Sequence, residues 1–184
     1  MEKKQVLLIY GSPKPDGDVA RLVAACLAGM GEVTLTRYDC FAAPPLPCDD
    51  CGYCHRAAGC QKRDLDGVYE ALEAAEVLIF AAPVYNRGFP APMKAFLDRL
   101  QRYWAARFVR GERPPIKTPK KTVLLTAGGS GRGDGTYLSA QLAPTLTVLN
   151  SAPALSVHAD ATDRTGITEE TLAAAREAGR AAVI

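Results

Sequence analysis

Three runs of this chain are apolar at nearly every position yet only strand-length: Gln5-Val-Leu-Leu-Ile-Tyr10, Val77-Leu-Ile-Phe-Ala81 and Thr122-Val-Leu-Leu-Thr126. A strand of that kind buries both of its faces. Parallel sheets covered by helices on each side provide that environment. The intervening segments carry the helices. From Asp18 to Met30, Val19, Leu22, Val23, Cys26 and Leu27 recur at helical spacing, with Asp18 as the expected N-cap. Leu65–Ala75, Pro90 to about Trp104, Thr136–Leu149 and Thr168–Ala182 read as helices too. Pro144 is expected to kink or divide the Thr136–Leu149 helix, and Thr168 to cap the last. Glu32–Tyr38 and Ala154–His158 add two strands. Five strands alternating with helices suit the doubly wound order 2-1-3-4-5, in which ligands sit beyond the carboxyl ends of the strands.

Composition sets bounds on this picture. The chain has 184 residues, 48% of them hydrophobic, which is enough for one core and short for two domains. No apolar run approaches the roughly 18 residues of a membrane span, and Met1-Glu2-Lys3-Lys4 leads straight into a strand without the features of a signal peptide. A cytoplasmic protein with no membrane association is the expectation. The net charge is +2, from 22 Lys and Arg against 20 Asp and Glu. The basic stretch from Arg107 to Lys121 is broken by four Pro and Gly residues and reads as a solvated loop, so nucleic-acid binding is not expected.

The loops following the first, third and fourth strands converge, by topology, on one crevice. They are Gly11-Ser-Pro-Lys-Pro-Asp-Gly-Asp18, Pro83-Val-Tyr-Asn-Arg-Gly-Phe-Pro90, and Gly128-Gly-Ser-Gly-Arg-Gly-Asp-Gly135, the last with five glycines in eight positions. The first leads into a helix N-terminus and can offer backbone N–H groups and a Ser hydroxyl to a phosphate. The glycines allow backbone to approach a flat ligand closely. Together the three loops favour a planar, phosphorylated cofactor. Neither a Walker loop nor a Gly-x-Gly-x-x-Gly fingerprint is present.

The segments Gly11-Ser-Pro-Lys-x-x-Gly17, Pro83-Val-Tyr85 and Lys94-Ala-Phe-Leu-Asp-Arg99 resemble the NADPH-dependent FMN reductase and iron–sulfur flavoprotein families over roughly residues 5–135. The resemblance implies a flavodoxin-like fold, bound FMN, NAD(P)H as electron donor, and a homodimer or homotetramer. It also implies that Ser12, Lys14, Gly17, Asp18 and Val19 surround the phosphate. Pro83, Val84, Tyr85 and Asn86, with Gly129, Ser130 and Gly131, would border the flavin ring. Asp18-Val19 departs from the Asn-Thr or Asn-Ser common in relatives, since a carboxylate cannot donate to a phosphate and Val has no hydroxyl. Asp18 is therefore expected to turn away to cap its helix, leaving the phosphate to backbone N–H groups, Ser12 and Lys14.

Asp39–Arg63 is a long loop holding four of the six cysteines, in the pattern Cys48-x2-Cys51-x2-Cys54-x5-Cys60. Loops of this length in a compact domain tend to be functional. Four closely spaced thiolates suit a [4Fe–4S] cluster, and the spacing is similar to that of iron–sulfur flavoproteins. Zinc, free thiols and an air-formed disulfide are the competing readings; zinc more often uses two well-separated Cys-x2-Cys pairs. Cys26 fits a core position, Cys40 has no evident role, and neither His55 nor His158 is nominated as catalytic. The leading reading is an oxidoreductase that passes electrons from NAD(P)H or ferredoxin to a small acceptor such as a quinone. Tyr85, Asn86 and Arg87 would line its open flavin face. An FMN-only reductase and a non-enzymatic, flavodoxin-like electron carrier are the alternatives.

Overall fold

A computed structural model describes residues 3–129, 131 and 133–184. Five parallel strands, β1 (Gln5–Tyr10), β2 (Thr34–Asp39), β3 (Val77–Pro83), β4 (Lys121–Ala127) and β5 (Leu155–Ala159), form one sheet in the order β2-β1-β3-β4-β5. This is the flavodoxin-like, doubly wound arrangement expected. The three central strands are buried along nearly their whole length, and alternate residues feed two cores. Leu7, Ile9, Leu78, Phe80 and Leu124 face one side, where they meet Tyr69, Phe96 and Leu138. Val6, Leu8, Ile79, Val123 and Leu125 face the other, against Leu22, Cys26 and Ala175.

On the second side α1 (Asp18–Met30) packs against α8 (Glu169–Val183) with their backbones nearly touching. Thr168 caps α8 as expected, its side chain accepting the Thr171 N–H at 3.2 Å. α1 differs from expectation: Gly17 holds the N-cap position, and Asp18 is the first helical residue, 3.7 Å from Arg21. Its carboxylate pairs one turn along instead of capping.

The first side carries α3 (Asp66–Ala74), α4 (Ala91–Arg99), α5 (Gln101–Phe108) and α6 (Gly135–Val148). The single helix expected from Pro90 to Trp104 is thus two, divided at Leu100, and α5 takes Arg107 and Phe108 out of the stretch read as loop. Pro144 does not divide α6. Ala140, whose carbonyl loses its helical donor there, is exposed, as is Pro144, so water can satisfy that carbonyl. Two single-turn helices, α2 (Tyr53–Arg56) in the cysteine loop and α7 (Thr162–Thr165) after β5, had no periodicity to announce them. No helix among the described residues is long and apolar enough to cross a membrane.

Candidate functional site

At the carboxyl edge of the sheet the loops after β1, β3 and β4 enclose an open cleft of about 360 Å³, within the ordinary range for small-molecule sites. Its walls include Ser12, Lys14, Gly17, Asp18 and Val19 at one end and Pro83, Val84, Tyr85 and Gly129 at the other. Nine of the residues expected to hold a cofactor therefore share one cavity. Asn86 and Gly131 do not line it, and Ser130 lies outside the described residues.

The first loop is shaped from within. Tyr10 donates its hydroxyl to the Lys14 carbonyl at 2.6 Å, and Ser12 Oγ accepts the Lys14 N–H at 3.3 Å. Gly17 lets the Lys14 side chain fold over it, since a Cβ there would stand 3.1 Å from Lys14 Cβ. The first main-chain bond of α1 runs from the Arg21 N–H to the Gly17 carbonyl at 3.1 Å, and no side chain caps the turn before it. The N–H groups of the first turn thus remain available beside the cleft, with the positive end of the helix dipole behind them. That arrangement fits a phosphate, and it does so without help from the Asp18 carboxylate.

The glycine-rich loop works differently from the expectation. A Cβ on Gly129 would lie 2.3 Å from the Asp163 carboxylate, and one on Gly131 would lie 2.1 Å from that of Asp134. These glycines make room for protein carboxylates; the close approach is not made to a flat ligand alone. Asp163 reaches the cleft from α7, held by its N–H on the Gly129 carbonyl at 3.1 Å, and Thr162 lines the cleft next to it. Neither residue was singled out from sequence. Only the fold brings α7 back to the β4 loop.

The turn after β3 is a two-residue reversal: Tyr85 and Gly88 exchange N–H···O bonds of 3.0 and 2.9 Å. Its central residues, Asn86 and Arg87, have φ of 50° and 60°. Positive φ is unusual for a residue as bulky as Arg. Arg87 Nε reaches Asp134 at 3.3 Å, its guanidinium stands 5.1 Å from the Tyr137 ring centre, and its carbonyl accepts from Gln141 Nε2 at 3.0 Å.

The cysteines form a second centre. Cys48, Cys51, Cys54 and Cys60 line one small cavity, together with Asp49, Asp50, Lys62, Arg99 and Arg102. Burial pushes the Cys54 thiol up, and the nearby sulfurs of Cys60, Cys48 and Cys51 add to the effect. Among the described residues no three ligating side chains stand close enough to hold a single metal ion. The base of the loop is closed by Arg99, which is 2% exposed. Its guanidinium donates to the Leu46 carbonyl at 2.7 Å, to the Lys62 carbonyl at 2.9 Å and to Asp64 at 3.0 Å. Burial works against the Asp64 carboxylate, but the Leu46 N–H and Arg99 together hold its pKa below the usual value. Arg99 Nε is buried and has no protein partner among the described residues. Of the two histidines, His55 packs against Trp104 and His158 bridges Thr126 and Ser139; neither enters the cleft.

Residues 5–162 match the NADPH-dependent FMN reductase family. An iron–sulfur flavoprotein of Methanosarcina thermophila is 31% identical over 128 residues, which cover 68% of this chain and 63% of that protein. An FMN-dependent NADH:quinone oxidoreductase of Opitutus terrae is 32% identical over 95 residues, 50% of this chain and 41% of that one. The chain thus spans about two fifths to two thirds of the length of these curated relatives. Among solved structures, an NAD(P)H:quinone oxidoreductase from Methanothermobacter marburgensis superposes with a TM-score of 0.71 at 18% identity, over 97% of this chain and 95% of that one, a likeness of fold.

Proposed function

From the premise that this chain belongs to the NADPH-dependent FMN reductase family, we propose that its cleft holds FMN and that it reduces a small acceptor such as a quinone. NAD(P)H or a ferredoxin would be the electron donor. The observation that carries this reading is the uncapped N-terminus of α1 opening into the same cleft as Tyr85 and Gly129. The first-turn N–H groups, with Ser12 and Lys14, would hold the phosphate. Pro83, Val84, Tyr85 and Gly129 would border the ring, with Asn86 and Gly131 on the flanking loops. Ser130 belongs to the same proposal. Bound flavin exchanges electrons in pairs with nicotinamide and singly with one-electron carriers. The chain's part is to fix the cofactor's phosphate, limit water around its ring and leave one face open beside Tyr85.

For the cysteine loop we propose a [4Fe–4S] cluster on Cys48, Cys51, Cys54 and Cys60. Two features support it. All four cysteines line one cavity, and Lys62, Arg99 and Arg102 outweigh Asp49 and Asp50 in its lining, which suits an anionic thiolate-bound centre. Free thiols in an FMN-only reductase form the second reading. A homodimer or homotetramer finds support in the exposed Trp104, Phe108 and Val109 beside this loop.

Protein purified without oxygen, assayed for FMN, iron and NAD(P)H-dependent quinone reduction, tests these proposals. Stoichiometric FMN with about four irons per chain is the expected result. Cys51→Ser should lose the iron and keep FMN. FMN without iron would leave the FMN-only reductase; iron retained by Cys51→Ser would remove that ligand assignment. Absence of FMN binding would end the main reading.

A further inference from the structure

The turn Tyr85–Gly88 places a cation in a backbone conformation that favours Gly or Asn. Arg87, at φ 60°, follows Asn86 at φ 50°. Gly in its place would relieve the strain, so the side chain needs a reason to be there. Two contacts hold the side chain, the Asp134 carboxylate just ahead of α6 and the Tyr137 ring on it, while the Gln141 amide holds the Arg87 carbonyl. The side chain nevertheless stays 67% exposed. Among the described residues its only side-chain hydrogen bond uses Nε, leaving the two terminal nitrogens directed elsewhere. Two open aromatic rings lie near it: Tyr137, 5.1 Å from the guanidinium and 45% exposed, and Tyr85, at the start of the same turn and 46% exposed. Tyr85 also lines the cofactor cleft.

Two exposed phenol rings near a guanidinium held at Nε recognise a particular chemistry. The rings offer flat apolar contact. The guanidinium offers a planar pair of donors suited to carboxylate or sulfonate. We propose that Tyr85, Arg87 and Tyr137 form a platform at the mouth of the cleft that selects flat aromatic acceptors carrying a negative charge. Quinones bearing a sulfonate, a carboxylate or an ionised hydroxyl belong to this class. The proposal rests on the quinone-reductase reading for the identity of the acceptor, but the platform's preference for anionic aromatics stands on the three side chains themselves. Asp134 serves as the positioning residue: it accepts from Nε and leaves the terminal nitrogens without a hydrogen-bond partner among the described residues.

The test is an equilibrium titration of the FMN-loaded protein with naphthoquinone, with its sulfonate, and with the redox-inert naphthalene sulfonate. Wild type should bind the sulfonated quinone more tightly than the parent. Arg87→Gln should lower that preference by at least about fivefold, roughly the worth of one exposed charge pair (about 1 kcal/mol). Arg87→Lys should retain part of it, and added salt should erode it in wild type. A change in the ratio cannot come from general unfolding, which would weaken both ligands alike. A preference in Arg87→Gln within twofold of wild type would overturn the proposal, as would failure of wild type to bind naphthalene sulfonate. If NAD(P)H reduces neither quinone while naphthalene sulfonate still binds through Arg87, the quinone reading falls and the anionic-aromatic platform stands.

Discussion

Arg99 shows what one buried charge can organise. Its three carbonyl and carboxylate partners come from Leu46, ahead of the cysteines, and from Lys62 and Asp64, behind them. One side chain at the end of α4 therefore brings together the two ends of a segment with little regular structure of its own. Arg99→Gln removes the charge and the fork that makes these bonds. Because Asp64 is 26% exposed, water can take up part of the loss, so the cost should fall below that of a fully buried pair, at about 2 kcal/mol. The more telling readout is local. In the folded protein with no metal bound, four of the six thiols should react with an aromatic disulfide reagent, because Cys26 and Cys40 are buried and the loop cysteines are not. Burial also pushes the Cys26 and Cys40 thiols up to about 12, which keeps them protonated in mildly alkaline buffer. Since the folded state binds those two protons more tightly than the unfolded chain, their contribution to stability falls as pH rises above about 9. In Arg99→Gln the half-buried Cys54 and Cys60 should react on the order of tenfold faster than in wild type, through freer opening of the loop. Equal rates in the two proteins would show that Arg99 is not what holds the loop.

Among the elements, α1 and α8 depend most closely on small residues. A Cβ on Gly179 would come within 2.0 Å of the Cys26 carbonyl, and one on Gly29 within 1.9 Å of the Arg176 carbonyl. In both cases the obstacle is backbone, which cannot swing aside as a side-chain end does. The two helices therefore touch main chain to main chain at two points, one glycine from each. Gly179→Ala adds a single methyl group and improves helix propensity by about 1 kcal/mol. It must nonetheless separate α8 from α1, and overpacking of this kind costs about 1–3 kcal/mol or more. The expected outcome is a net loss of about 2 kcal/mol in chemical denaturation, with Gly29→Ala behaving alike. Stability unchanged or raised in Gly179→Ala would mean that the helix pair has slack. The same helix α1 presents its other end to the cofactor cleft, so separation at this contact should also weaken FMN. An exposed helical substitution such as Glu177→Ala should leave FMN affinity untouched.

For the molecule as a whole, local chemistry and long-range assembly divide what can be read in advance. The three apolar runs revealed buried parallel strands because a strand's environment is written in its own residues, and Thr168 revealed a helix start because its hydroxyl bonds three residues away. Asp163 and Tyr137 act through contacts 30 or more residues distant, and no spacing rule marks them; Arg99 closes a recognisable motif, but its hold on the cysteine loop is equally distant. The break at Leu100 has no sequence mark for a related reason: its neighbours keep helical character on both sides, and Leu100 itself stays near helical backbone at φ −70°. Asp18 was expected to cap α1, but the Gly at the preceding position takes the cap and leaves the helix N-terminus open. That open end gives the cleft its fit for a phosphate, and it exists only once β1, β3, β4 and α7 are assembled around it. FMN should therefore bind the native state and not the unfolded chain. At a free concentration about one hundred times its Kd it would add about 2.7 kcal/mol of stability. For a chain of this length that corresponds to a rise of roughly 5–10 °C in Tm. Ser12→Ala, which removes a hydroxyl from the proposed phosphate site, should weaken FMN by about 1 kcal/mol and cut the rise by a few degrees at the same FMN concentration. A Tm that FMN does not move in wild type would mean the cleft takes no flavin, whereas an equal rise in wild type and Ser12→Ala would place the phosphate on backbone N–H groups without the Ser12 hydroxyl.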